Sequence, residues 1–361
     1  MNSLERFNNS ILRKPFDRIP FALSMTKESL SNLKDYLEQD DEETIYYKMF
    51  DMDRRYTSPI YIGPAPRIYE DGTYDSIFGV RTRDVSYVHG TYSEAVGFPL
   101  ANATEVFQIE NHPWPSSDWY DYESIIKPLE KYPDYPFTIG YFALGWFSWN
   151  MREMSRFLED LLLNPEIAEA IIERMSDHGY EYFKRIIEIG RKYIGKNFSC
   201  IHLADDWATQ EGLLISPQLY RTFFKKHYRR IIDIAHNAGL KVEFHCCGSA
   251  VELIPEFIDT GVDILNPIQT SAKGMMPHVL KEQFGNDLVF SGGVDVQTIL
   301  PYGTPEKVMD EVKYLLDTMG KDGGYILQPS HAIQVDTPAE NIVAICKAIY
   351  NYYGITNDYM G

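Results

Sequence analysis

Cysteine is scarce in this chain. Four residues (Cys200, Cys246, Cys247 and Cys346) in 361 positions do not make a disulfide framework, and two of them are adjacent, which suits a reducing compartment. Positive charge is also in short supply. The 34 Lys and Arg face 52 Asp and Glu, and the net charge of −18 argues against nucleic acid and anionic membrane surfaces as partners. No apolar run reaches the roughly 18 residues that a membrane span needs, and Met1 to Phe7 hold no signal-like apolar core. The expectation is a cytoplasmic protein with no membrane contact. No Gly-x-Gly-x-x-Gly turn follows a strand-like run, which argues against a dinucleotide fold. No Ser/Gly linker or low-complexity tract divides the chain, so residues 1–361 read as one domain large enough for a substantial core.

What is present is a regular alternation after Pro136. Strand-like runs fall at 137–142, 198–203, 241–246, 263–267, 288–290 and 325–328. Helical runs lie between and after them, at 148–163, 165–194, 217–238, 250–260, 276–284, 305–319 and 338–353. Several begin at a proline after a polar cap, as in Asn164-Pro165, Ser216-Pro217, Thr304-Pro305 and Thr337-Pro338. With an early strand at 18–23 and another within 47–62, the count approaches eight. The spacing predicts an α/β fold, a (β/α)8 TIM barrel, over an open doubly wound sheet. Residues 1–15 read as a short amphipathic helix and 27–49 as helical, while 51–136, rich in Tyr, Pro, Gly and Asp, reads as an insertion of short strands and loops.

In such a barrel the chemistry gathers at the C-terminal strand ends. The run Val242 to Ser249 ends a strand in His245-Cys246-Cys247-Gly248, and alternation points His245 and Cys247 one way and Cys246 the other. An imidazole and a thiol so placed supply half of a zinc site, and His331 after the last strand supplies a third ligand across the lumen. Three protein ligands and an open position suit catalysis. Asp205 and Asp206 are the candidate catalytic carboxylates. Tyr141, Trp146, His202, Gln210, Asn266 and Gln328 are the candidate substrate-binding residues, around a pocket for a small, partly aromatic ligand. Plainer roles stay open at this point. Asp205 and Asp206 also suit a turn cap, His331 a surface loop, Trp146 and Trp149 core packing, and Cys246 and Cys346 the core.

The segments Ala204-Asp205-Asp206-Trp207-Ala208-Thr209-Gln210, His245-Cys246-Cys247-Gly248, Ser291-Gly292-Gly293-Val294-Asp295 and Gly324 to His331 resemble the uroporphyrinogen decarboxylase superfamily. That resemblance implies a (β/α)8 barrel, and the superfamily holds true decarboxylases and a branch of corrinoid-dependent methyltransferases. True decarboxylases carry an Arg-Gln-Ala-Gly-Arg type segment after the first strand, for the acidic side chains of their tetrapyrrole. The corresponding stretch here, Phe21 to Glu28, has no arginine. The methyltransferase branch has a His-x-Cys-Gly strand end and, after the last strand, a third ligand that is usually Cys. The matching position here is His331, which leaves a less thiolate-rich set.

Glu166, Glu181 and His202 also match the spacing of a zinc motif in methyltransferases that demethylate methoxylated aromatics such as veratrol. One continuous helix would hold Glu166 and Glu181 about 22 Å apart, so the pattern marks the group without forming the coordination sphere. The resemblance therefore implies a zinc-dependent methyltransferase, an O-demethylase component, that moves methyl from a small methoxylated aromatic to a corrinoid protein. A homodimer is compatible with it. The alternatives are a uroporphyrinogen-type decarboxylase and a non-catalytic barrel that binds and delivers a cofactor.

Overall fold

Seven parallel strands form one curled sheet in the computed structural model, which describes residues 1–87 and 90–359. They are β1 (Arg55–Thr57), β2 (Phe137–Phe142), β3 (Phe198–Ala204), β4 (Lys241–His245), β5 (Ile264–Ile268), β6 (Val289–Val294) and β7 (Tyr325–Pro329), and each pairs with the next in chain order. Residues 20–22 close the gap between β7 and β1. Ala22 N–H donates to Leu327 O (3.2 Å), Leu327 N–H to Pro20 O (3.0 Å), and Asp53 N–H to Phe21 O (2.9 Å). The expected strand at 18–23 is thus a bridge and not a full ladder, because Pro20 has no N–H to donate. Helices pack outside the sheet, and the architecture is the (β/α)8 barrel that the alternation predicts.

The period of two along each strand sorts side chains into lumen and exterior. Low in the lumen, Cys200 (β3), Ile264 (β5), Val289 (β6) and Ile326 (β7) form one cluster with Phe7 and Ile11 of the N-terminal helix Ser3–Ile11. That helix plugs the N-terminal end of the barrel with apolar side chains. Above the plug, Arg54 makes a two-pronged ion pair with Glu243 of β4 (3.0 and 2.6 Å) and donates to Thr138 of β2 (2.7 Å). Both charged groups are fully buried. Burial opposes ionisation of Glu243, but the Arg54 guanidinium overrides it and holds the carboxyl well below the usual carboxylate range. The C-terminal mouth is the end left for chemistry.

Several helices differ from their expected bounds. The run at 148–163 starts earlier and is broken: Leu144–Arg152 and Met154–Leu163 meet at Glu153, whose φ is +77° and whose carboxylate caps the second helix at Ser155 N (3.1 Å). The helix Pro165–Gly190 is continuous over 26 residues, so Glu166 and Glu181 cannot share an ion. Within the irregular stretch at 51–136, Arg55–Thr57 belongs to the barrel itself. The remainder of that stretch holds the hairpin Arg81–Tyr87 with Gly90–Gly97, and the pair Ile60–Tyr61 with Tyr120–Asp121. Among the described residues no helix is long and apolar enough to cross a membrane.

The helix Pro305–Leu315 buries Glu311 against the turn at Asp295, and burial with the nearby Asp295 charge pushes its carboxyl up to about 8. The native state then binds a proton that the unfolded chain releases near pH 4.5. Stability should therefore fall as pH rises from about 4.5 to about 8, by a few kcal/mol. Glu311→Gln should flatten that slope and raise the denaturation midpoint at pH 8, as urea titrations at several pH values would read.

Candidate metal centre at the barrel mouth

The compact metal-capable group among the described residues is Asp206, His245 and Cys247, with one donor atom from each lying within 4.8 Å of the others. His245 ends β4 and its Nδ1 lies 3.1 Å from Asn266 Oδ1 on β5. A carbonyl oxygen only accepts, so Nδ1 carries the proton and Nε2 keeps its lone pair. Asn266 is held in turn by donation from Nδ2 to Ser291 Oγ on β6 (3.3 Å). Such a carbonyl-fixed imidazole is the usual support of a metal-ligating histidine. Burial pushes the His245 imidazole down, which keeps it neutral.

His245 Nε2 faces Cys247 Sγ at 3.2 Å and Asp206 Oδ1 at 3.7 Å. With Zn–N near 2.0–2.1 Å and Zn–S near 2.3 Å, a tetrahedral site has donor–donor edges of about 3.3–3.7 Å. The donor set therefore fits zinc in spacing and in element type. Its proton inventory points the same way. One S–H cannot serve both an imidazole lone pair and a carboxylate, and burial with the Asp206 charge pushes the Cys247 thiol up. A cation would satisfy all three donors.

The loops after β3, β4 and β5 hold Cys247 in place. Cys247 N–H donates to Asp206 Oδ1 (3.1 Å), Gly248 N–H to Gln269 Oε1 (2.8 Å) and Ser249 N–H to Thr209 O (2.8 Å). Gly248 has φ +82°, and a Cβ there would lie 2.5 Å from Thr209 O, so only glycine lets the two loops touch. Cys246 points outward into the core, as alternation requires.

Asp205 is buried and accepts from Gly145 N (2.7 Å) and Trp146 N (2.7 Å), fixing the N-terminus of Leu144–Arg152. Its carboxylate holds Trp146 over the mouth, a positioning contact. Gly145 allows this approach, because a Cβ there would stand 2.1 Å from the Trp207 ring and 3.0 Å from Asp205 Oδ2. Gly145→Ala should cost about 1–3 kcal/mol through overpacking and shift Trp146, with the loss read by chemical denaturation.

Two cavities open beside the trio. One, of about 270 Å³, is lined by Tyr141, Trp146, Asp205, Asp206, His245 and His331, among others. The other, of about 310 Å³, includes Tyr56, His202, His245, Asn266, Gln328 and His331. His331 thus faces both cavities, with its ring centroid 6.4 Å from that of His245, and does not join the compact trio. His202 stacks on Tyr141 (5.6 Å) and its Nδ1 lies 3.5 Å from Glu243 Oε2. Gln328 Nε2 reaches Tyr56 OH at 3.4 Å. Gln210 lines neither cavity; it is exposed, and its carbonyl accepts from Lys273 N (3.0 Å). Tyr56 and Arg54 carry no site signal in the sequence, since the strand Arg55–Thr57 that holds one and follows the other is three residues long inside a Tyr-rich irregular stretch. Partial burial, with the nearby Asp205 and Asp206 charges, pushes the Tyr141 hydroxyl up to about 12, so it stays a proton-bearing donor.

Known proteins carry matching features. A family model described as uroporphyrinogen decarboxylase (URO-D) matches residues 137–352. A methylated-thiol–coenzyme M methyltransferase from Methanosarcina mazei is 26% identical over 213 residues, covering 59% of this chain and 50% of the relative. The methylcobamide:CoM methyltransferase MtbA of Methanosarcina acetivorans is 25% identical over 194 residues, covering 54% and 52%. A uroporphyrinogen decarboxylase from Psychromonas ingrahamii is 22% identical over 232 residues, covering 62% and 58%. This chain spans about half the length of the curated relatives it matches. A solved methyltransferase from Methanosarcina mazei shares the fold over 98% of this chain and 99% of its own, with a TM-score of 0.71 at 18% identity. The chain belongs to the uroporphyrinogen decarboxylase (URO-D) family.

Proposed function

We propose that this chain is a zinc-dependent methyltransferase that works with a separate corrinoid protein. The observation that carries the proposal is the compact sulfur, nitrogen and oxygen trio of Cys247, His245 and Asp206 in the barrel mouth. His245 and Cys247 are the fixed pair of ligands, Asp206 stands as the third donor, and His331 faces them from across the mouth. Two relatives named as methyltransferases support the reaction class. Bound zinc would supply Lewis acidity to the oxygen or sulfur of a small methylated compound.

The residues of this chain supply the rest. Asn266 holds His245 in the ligating tautomer. Tyr141, kept protonated, donates to the heteroatom as it gains negative charge and so favours methyl departure. Trp146, placed by Asp205, walls the cavity on one side. Tyr141 and Trp146 beside the trio favour an aryl methyl ether as the substrate, and the corrinoid partner would dock over the open mouth. The decarboxylase alternative asks for cations around a polyacidic tetrapyrrole. Among the described residues no Lys or Arg lines either cavity, and the nearby Arg54 is held by Glu243.

Methylcobalamin consumption, followed by absorbance with a simple thiol or phenol as acceptor, tests the proposal. Loss of the methylcobalamin spectrum that requires both the chain and zinc is the expected result. Zinc-loaded protein that transfers methyl to neither acceptor, or transfer untouched by a chelator, would contradict it.

A further inference from the structure

A third cavity, of about 230 Å³, lies between the insertion and the helix Pro165–Gly190, apart from the metal-capable trio. Its walls include Phe78, Tyr120, Phe142, Phe147, His178 and Tyr182. Their rings form a continuous wall: Phe78 to Phe147 is 5.2 Å, Phe78 to His178 5.4 Å, Tyr120 to His178 6.1 Å, Tyr120 to Tyr182 5.1 Å and Phe142 to Phe147 5.4 Å between centroids. Tyr141 lines both this chamber and the cavity beside Asp206 and His245, so the two adjoin at that side chain. An apolar cavity of about 150 Å³ already holds a benzene ring, so the chamber has room for one ring with a small substituent.

One polar group of the chamber has a defined sense. His178 Nδ1 lies 3.2 Å from Pro115 O, and since a carbonyl only accepts, Nδ1 is the protonated nitrogen. Burial pushes this imidazole down to about 4, so near neutral pH it is uncharged and Nε2 is a bare acceptor. Among the described residues Nε2 has no hydrogen-bond partner. Ser58, Tyr120, Tyr141 and Tyr182 also line the chamber, but each hydroxyl carries its own proton, so the unprotonated Nε2 is the acceptor complementary to a ring that bears a donor.

We propose that the chamber behind Tyr141 binds the non-reacting part of the substrate as a planar aromatic ring whose hydroxyl or N–H donates to His178 Nε2. The proposal rests on the methyl-transfer reading for what happens at the trio, but not for the binding itself. The ring would lie in the chamber with its ether oxygen, bonded directly to it, at the Tyr141 edge where the two cavities adjoin. That arrangement leaves the barrel mouth free for a macromolecular partner. It also assigns specificity to residues of the insertion and of the long helix, apart from the strand-end residues.

Calorimetric titration of the full chain with 2-methoxyphenol and with methoxybenzene tests this. The hydroxylated probe should bind about tenfold more tightly, the worth of one net hydrogen bond. His178→Phe should erase that preference, and Phe147→Trp should weaken both probes about tenfold or more by filling the chamber. Chelation of zinc should leave the preference for 2-methoxyphenol over methoxybenzene in place, since the contact to His178 is formed without the trio. Equal affinity of the unaltered chain for the two probes, or no binding of either, would overturn the proposal. So would binding that vanishes with the chelator and ignores Phe147→Trp, which would place the probe on the metal. If the preference holds while zinc-loaded protein transfers no methyl group, the chamber stands and the methyltransferase reading falls.

Discussion

His245→Ala is expected to abolish stoichiometric zinc binding and to cut methyl transfer by at least about a thousandfold, the equivalent of roughly 4 kcal/mol of lost charge stabilisation. The physical reason is specific to this position. His245 is the donor whose tautomer is fixed by Asn266, whose lone pair faces both other members of the trio, and which lines both cavities. Without it, Asp206 and Cys247 remain as a carboxylate and a thiol with no neutral ligand between them. Cys246→Ala is the matched control. That thiol sits one residue further on but faces the apolar exterior of the strand, so the variant should retain zinc and lose only about 1 kcal/mol of packing. Zinc content and transfer rate, measured on both variants, separate a ligand defect from a folding defect.

The second large effect lies one layer below. Glu243→Ala should destabilise the chain by about 3–5 kcal/mol, because it leaves the Arg54 guanidinium buried with no counter-charge. Paired replacement, Arg54→Met with Glu243→Leu, should recover much of that loss, since removing both charges removes the desolvation penalty as well. The single variant should also disturb the site, because Glu243 Oε2 is the group beside His202 Nδ1, and His202 supports Tyr141 by stacking. Urea melts of the two variants give the stability order. A single variant as stable as the unaltered chain would show that the buried pair does not hold the barrel interior together.

Some of this was legible in the residues and some was not, for reasons that can be named. The strands β2 to β7 announce themselves as short apolar runs between proline-started helices, because both faces of a parallel barrel strand are covered. β1 is hidden. Its neighbourhood reads Asp53-Arg54-Arg55, and a buried charged pair leaves no apolar pattern, since its partner Glu243 is 189 residues away. The break at Glu153 likewise depends on a positive φ that no local pattern demands.

At the site, alternation along β4 identifies His245 and Cys247 and rejects Cys246. The third member is harder to see. Asp206 joins them only because the loops after β3, β4 and β5 lock together through Thr209, Ser249 and Gln269, contacts that sequence spacing does not encode. Asp205 and Asp206 are adjacent and chemically identical, yet one carboxylate caps a helix and the other meets the histidine. The aromatic chamber behind Tyr141 is less visible still. It brings together residues of the insertion, of β2 and of two helices that are far apart in the chain.

The central claim is that His245 and Cys247 hold zinc at the mouth of this barrel. X-ray absorption at the zinc edge, on protein purified with zinc and washed free of excess, tests it most directly. The expected result is about one zinc per chain, with a single sulfur near 2.3 Å and nitrogen or oxygen neighbours near 2.0–2.1 Å, and loss of that sulfur in Cys247→Ser. Protein that holds no stoichiometric zinc, or zinc with no sulfur neighbour, would contradict it.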